Sequence, residues 1–118
     1  MHSQIQHKDH LCLLNMLDAI QKIADYTKNV KSADEFFKNT VIFDASLMNF
    51  VVIGEMVAKL SDTFVDETSN DVDWFKIKGF RNILAHNYFG VDAEEVWEIV
   101  QDHLPILKTK IEEMTDKR

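Results

Sequence analysis

The sequence predicts an all-α fold, a bundle of four long helices and one short one. Three observations predict it. The 118 residues include only 3 Gly and 1 Pro, too few for a turn-rich β fold. Apolar residues recur every three or four positions along most of the chain, the period of a helix with one buried face. Two segments, Ser32-Ala33-Asp34-Glu35 and Asp92-Ala93-Glu94-Glu95, read as capping boxes, in which a side-chain oxygen accepts from a free amide of the first turn. With 46% apolar residues, positions 1–118 are expected to form a single domain with its own core, frayed at 1–6 and 115–118.

The first helix is expected from about His7 to Val30, with Leu11, Leu14, Leu17, Ile20 and Thr27 along one stripe. Ser32 then starts a short helix through Phe36 and Phe37, which Asn39-Thr40 ends. The third helix is long, roughly Val41 to Val65, with Leu47, Val51, Val57, Leu60 and Phe64 on its apolar side. Gly54 costs about 1 kcal/mol relative to Ala in a helix interior, so it marks a candidate close contact. Asp66 to Asp73 is polar and short-chained, and reads as the one substantial loop. The fourth helix starts near Asp73 or Trp74 and packs through Phe75, Gly79, Phe80, Ile83 and Leu84. Phe89-Gly90-Val91 ends it, with Gly90 as the stop residue. The fifth follows Asp92 through Val96, Ile99, Val100 and Leu104. Pro105 has no amide to donate and should kink or restart it.

The formal net charge of −7 argues against loose, charge-driven nucleic-acid binding over the whole surface. The charges are not evenly mixed. From Lys76 to Tyr88 the chain carries Lys76, Lys78, Arg81 and His86 and no carboxylate, with Asp71 and Asp73 before it and Asp92, Glu94 and Glu95 after it. That window is either a cationic patch for one phosphate or an ordinary solvated helix face. No apolar run approaches ~18 residues, so no membrane span is expected. Met1 to Gln6 lacks the basic-then-apolar pattern of a secretory signal. Cys12, the single cysteine, cannot form an internal disulfide, which fits a reducing cytoplasm. His7 and His10 share a face but have no third ligand nearby, so no metal site is expected.

The octapeptide Arg81-Asn82-Ile83-Leu84-Ala85-His86-Asn87-Tyr88 carries the chemistry. RNA brings its own nucleophile, the 2′-OH. A protein that cleaves it must take that proton, protonate the leaving 5′-oxygen and stabilise the charge on phosphorus. Histidine suits the proton transfers, and the planar, always-charged arginine fork suits the phosphate oxygens. DNA lacks the 2′-OH, so the scheme predicts RNA cleavage and no DNA cleavage. Asn82 and Asn87 could hold ribose or phosphate, or cap backbone. Lys76 and Lys78 could hold flanking phosphates or lie on a solvated face. Each helical residue turns the chain by about 100°, so Arg81 and His86 lie about 140° apart while Arg81 and Tyr88 project almost together. One straight helix cannot aim Arg81 and His86 at one small target. A bend before His86 would help. A second copy of the chain across a two-fold axis is the simpler solution.

The octapeptide reads as R-x4-H-x-Y and resembles the HepT-like toxin family of the HEPN superfamily. The resemblance extends well beyond it. Asn49 to Leu60, Asn-Phe-Val-Val-Ile-Gly-Glu-Met-Val-Ala-Lys-Leu, is similar to that family's "IGEaakkl" helix, and Trp74 to Asn82 to its "W..i.g.RN" approach. Leu84 to Phe89 is similar to its "laHdYf", and Val96-Trp97 with Leu104-Pro105 to its closing helix. The resemblance implies an all-α HEPN-type bundle and a two-fold homodimer with a cleft at the interface. It implies a metal-independent endoribonuclease toxin of a bacterial or archaeal, type VII-like toxin–antitoxin pair, acting in the cytoplasm. Arg81 and His86 take the family's catalytic positions. Tyr88 takes the position to which the cognate antitoxin, a minimal nucleotidyltransferase, transfers AMP; the phenol could instead simply cover the end of the motif helix. ATP would be used by that partner, and this chain would need no cofactor. Glu55 matches the family's GE pair and could orient Arg81, line the cleft or simply lie on the surface. Two departures stand out: Asn87 replaces the commoner Asp, and no proline precedes Trp74. They bear on pH optimum and helix entry, not on the Arg, His or Tyr. A reading of another class is a non-catalytic helical adaptor that presents substrate or Tyr88 to a nucleotidyltransferase; it has no need of the Arg–His pair.

Overall fold

Leu13, Met16, Ile20 and Ile23 recur at helical spacing and are buried, which fixes the inner face of α1 (His7–Thr27). The structure is a computed structural model describing residues 5–116. α2 (Ala33–Lys38) begins at Ser32, whose Oγ accepts from the Glu35 amide at 3.1 Å, as the capping box predicts. α3 (Thr40–Lys59) is the central helix, with α1 and α5 (Trp74–His86) both packed on it. Phe36 from α2 is fully buried, 5.0 Å from the Phe43 ring and 5.3 Å from Trp97. That aromatic cluster ties α2 and α3 to α6 (Ala93–Glu98). The described residues contain no strand, so the fold is the all-α bundle the sequence predicts.

Several boundaries differ from expectation, and the first helix already ends at Thr27 where Val30 was expected. The long third helix is broken: Leu60 and Ser61 are extended, and α4 (Asp62–Thr68) starts afresh. Ser61 is the reason. Its Oγ caps the Phe64 amide at 3.2 Å, and its own N–H and O–H donate to the Asp9 carboxylate at 2.8 and 2.6 Å. Asp9 is 1% exposed, so these charge-assisted bonds offset its desolvation and pin α1 to the break. The expected loop from Asp66 shrinks accordingly. Thr68 is helical and accepts from Trp74 Nε1 at 2.8 Å, locking the entry to α5.

The fourth helix ends at His86 instead of at Gly90. Asn87 leaves the helical region, and Tyr88–Gly90 forms a single 3₁₀ turn. Gly90 has no positive φ, so it is not a left-handed stop. The closing helix behaves as Pro105 requires. Ile99–His103 is a π segment in which the Leu104 amide donates back to the Ile99 carbonyl, and α7 (Leu104–Asp116) resumes. Fraying from Thr115 is not seen, since Thr115 is helical and buried. At the other end, Ile5 packs against the core, while residues 1–4 and 117–118 lie outside the described chain.

Apolarity is distributed differently from expectation. α3, at 20 residues and mean hydropathy 1.7, is by length and composition apolar enough to cross a membrane, which no short apolar run in the sequence suggested. Only 39% of that stretch is buried, and Val41 and Met48 face outward. On α1, Leu11 and Leu14 are also exposed. Asn15 on α1 reaches the Met56 sulfur at 3.7 Å, so the outer surfaces of α1 and α3 adjoin.

Candidate functional site

α5 carries most of the candidate residues, and its burial pattern sets their directions. Trp74 and Leu84 are buried, while Ile77, Phe80 and Arg81 are half-buried. Phe80 meets Phe50 of α3 edge-on at 5.4 Å. The inward face is therefore Trp74, Ile77, Phe80, Arg81 and Leu84, with Trp74 against Phe64 and Thr68 of α4 and Phe80 and Arg81 against α3. Phe75, 82% exposed, and Ile83 fall on the outer side, contrary to the expected packing face. They follow the helical period: α3 covers only one stripe of α5, and these two lie off it.

Arg81 lies on the inner stripe. Its Nη1 donates to Glu55 Oε2 at 2.7 Å, with the arginine side chain 18% exposed and the glutamate 47%. Its Nε is buried without a hydrogen-bond partner. The approach is close because Gly54 lies beneath the stem: a Cβ on Gly54 would overlap the Arg81 Cβ and sit 2.5 Å from its Cγ. The close contact anticipated at Gly54 is thus specifically with the arginine. By contrast, nothing lies within 4 Å of a Cβ built on Gly79. Glu55 holds Arg81, one of the roles that the family resemblance left open for it.

His86 is the last residue of α5 and is exposed, as are Asn82, Asn87, Lys76 and Lys78. Lys76 contributes its backbone amide to the Asp73 cap at 3.0 Å and leaves its ammonium outside. The Asn87 side chain folds over Gly90, where its polar atoms would lie 2.5 and 2.6 Å from an added Cβ. Arg81 against α3 and His86 in solvent make no hydrogen bond with each other within the described chain. α5 is a continuous helix from Trp74 to His86, and along such a helix five residues correspond to about 140° of turn.

The co-projection of Arg81 and Tyr88 does not hold, because Tyr88 lies beyond the helix. Its hydroxyl donates to Asp44 Oδ1 in the N-terminal half of α3. That carboxylate, with a smaller contribution from burial, pushes the phenol pKa above its ordinary value. Glu55 meets Arg81 and Asp44 meets Tyr88, so α5 runs antiparallel to α3. Asp44 and Glu55 are eleven residues apart, about 16 Å along the helix. The phenol is anchored well away from the arginine's partner. Sequence reasoning missed Asp44. Its signal was faint: it is the single carboxylate between Glu35 and Glu55 in an otherwise apolar stretch. Cys12 is buried, and desolvation followed by the nearby Asp9 raises its thiol pKa, so it behaves as core filler.

A helical bundle with no strand among the described residues, a glutamate-held arginine and an exposed histidine five residues on defines a class: small all-α proteins carrying an Arg-x4-His helix. Comparison with known proteins identifies the member of that class. Residues 16–114 match the family described as Ribonuclease HepT-like. A Methanocaldococcus jannaschii protein named "Gamma-glutamylcyclotransferase and putative RNase" is 37% identical over 105 residues, 88% of this chain; the chain spans 46% of that relative's length. Another from the same organism, "Putative RNase", is 32% identical over 85% of this chain and 90% of its own length. "Probable ribonuclease HepT" of Thermococcus cleftensis is 29% identical over 92% of this chain and 94% of its own length. No solved structure matches at a significant level. The chain belongs to the HepT-like ribonuclease family, whose matching members here are archaeal and bacterial.

Proposed function

We propose that this chain is a metal-independent endoribonuclease toxin that cleaves RNA with Arg81 and His86 at a homodimer interface. The observation that carries the reading is the pairing of Arg81 with Glu55 beside an exposed His86 on the same helix. Glu55 engages one nitrogen of the guanidinium and holds the fork in one orientation, leaving other N–H groups for phosphate oxygens. His86 takes the 2′-OH proton or protonates the leaving 5′-oxygen. Asn82 and Asn87 flank these groups as candidates for ribose or phosphate contacts, and Lys76 and Lys78 for neighbouring phosphates.

Two copies supply what one lacks. Because Arg81 and His86 diverge around α5, facing helices would offer the arginine of one protomer and the histidine of the other to a single phosphate. The exposed Leu11, Leu14, Met48 and Ile83 give such a dimer apolar surface to bury. Met48→Glu should then yield a monomer by size-exclusion chromatography and lose cleavage.

The same reading assigns Tyr88 as the acceptor of AMP from a minimal nucleotidyltransferase antitoxin, which would use ATP. The location is the cytoplasm of a bacterium or archaeon. The adduct adds negative charge and bulk at the end of the motif helix, both of which oppose RNA binding.

An RNA-cleavage assay in excess chelator tests the proposal. Wild type should cut RNA and leave DNA intact, and His86→Ala should lose on the order of 100-fold or more. Cleavage unchanged in His86→Ala overturns the mechanism. No cleavage by the unmodified wild-type dimer would favour the non-catalytic adaptor instead.

A further inference from the structure

We propose that Asp44 is the proton acceptor that makes Tyr88 the nucleophile in AMP transfer. This rests on the reading of Tyr88 as the modified residue, and adds to it a catalytic group on this chain rather than on the transferring enzyme. The observation is a contact between two otherwise distant elements. The Tyr88 hydroxyl, on the 3₁₀ turn after α5, donates its hydrogen bond to the Asp44 carboxylate in the N-terminal half of α3.

Both partners are accessible: Tyr88 is at the surface and Asp44 is exposed. Asp44 belongs to no ion pair among the described residues, so its carboxylate is not already neutralised by a cation. The Tyr88 ring is further steadied edge-on by Phe89 at 5.3 Å. The phenol is thus presented in one orientation, with its O–H directed at a carboxylate oxygen and both lone pairs of its oxygen uncommitted.

A phenol is a weak nucleophile until its proton leaves. Ionisation before the reaction is disfavoured here, since a phenolate would face the Asp44 carboxylate. The proton must therefore move as the new bond forms. Tyr88 Oη attacks the α-phosphorus of a nucleoside triphosphate held by the partner enzyme. The bond from that phosphorus to the oxygen bridging to the β-phosphate breaks, and pyrophosphate leaves with the electron pair. The hydroxyl proton passes to Asp44 Oδ1 and then to solvent. The product phosphodiester cannot donate to Asp44 and repels it as a like charge, so the modified side chain does not return to the same contact.

The test compares labelling of wild type, Asp44→Asn, Asp44→Glu, Asp44→Ala and Tyr88→Phe by a minimal nucleotidyltransferase partner with ATP. RNA cleavage by each unmodified protein serves as the folding control. Asn still accepts the phenol hydrogen bond through its amide oxygen but cannot take the proton. Asp44→Asn should therefore keep its KM for the transfer and lose on the order of 100-fold in kcat. Glu should restore part of the rate, Ala should lose both orientation and proton transfer, and Tyr88→Phe should stay unlabelled. A wild-type labelling rate in Asp44→Asn, whatever Ala does, overturns the proposal while leaving Tyr88 as the acceptor. Wild type that is unlabelled, or labelled on another residue, overturns the reading of Tyr88 and the role of Asp44 with it.

Discussion

Gly54 lies directly beneath Arg81, and a methyl group there would occupy the space of the arginine's own Cβ. The contact is with the part of the side chain fixed to the α5 backbone, so it cannot be relieved by swinging a flexible end. Gly54→Ala must push α5 from α3. Overpacking of this kind costs roughly 1–3 kcal/mol. The better helix propensity of Ala returns about 1 kcal/mol. The net expectation is a lowered thermal midpoint, measured by circular dichroism, together with weaker RNA cleavage because Arg81 is displaced.

Glu55→Gln separates orientation from stability. The Glu55 side chain is 47% exposed, so solvent screens the pair and its loss should shift the thermal midpoint little. The Gln amide oxygen can still accept one N–H, but without the carboxylate charge the guanidinium would be held less firmly. Misplacement of such a group by about 1 Å can cost on the order of 100-fold. The variant should fold like wild type and cleave RNA at least tenfold more slowly, roughly, in a kcat/KM measurement. Wild-type kinetics would mean that Glu55 has no part in holding Arg81 for catalysis.

Ser61→Ala tests the break between α3 and α4. It removes the cap on the Phe64 amide and one of the two hydrogen bonds to buried Asp9. Loss of a cap alone costs about 1 kcal/mol, and an under-satisfied buried carboxylate adds about 1–3 kcal/mol. Urea denaturation should show a clearly lower midpoint. A fully stable variant would indicate that water replaces the serine hydroxyl at no cost.

Titration of Tyr88 is a direct check on the Asp44 contact, readable by NMR of the ring carbons. The phenol should ionise above its ordinary value of 10.0. The sign follows from linkage: with the folded value raised, the contact's contribution is fully present below the unfolded phenol's pKa. It is lost as pH climbs through the folded value. Asp44→Asn removes the carboxylate and should bring the titration back down. An unchanged titration in Asp44→Asn would mean that the contact does not form in solution.

Native Cys12 should resist alkylation. It is buried, and both desolvation and Asp9 disfavour its thiolate. Thiol-reactive probes should label it only after denaturant is added.

The all-α fold, the two capped helix starts, the disturbance at Pro105 and the motif on α5 were all legible in the residues. Each depends on local chemistry: propensity, capping oxygens, a missing amide and a period of apolar side chains. The divergence of Arg81 and His86 was legible too, because it is helix geometry within six consecutive residues. Periodicity alone could not tell which apolar residues on α5 would be covered. Phe75 and Ile83 belong to a plausible stripe, but α3 lies against another.

What only the tertiary structure decided is where chain-distant groups meet. Asp9 reaching Ser61 stops α3 at Lys59, although the apolar pattern runs on to Val65. Asp44 meeting Tyr88 draws the phenol away from the arginine, although residue spacing alone would align them. Local sequence sets the backbone's preferences at small cost in either direction. A buried carboxylate must find donors wherever the fold supplies them, and that requirement outweighs the preference of a few residues to stay helical.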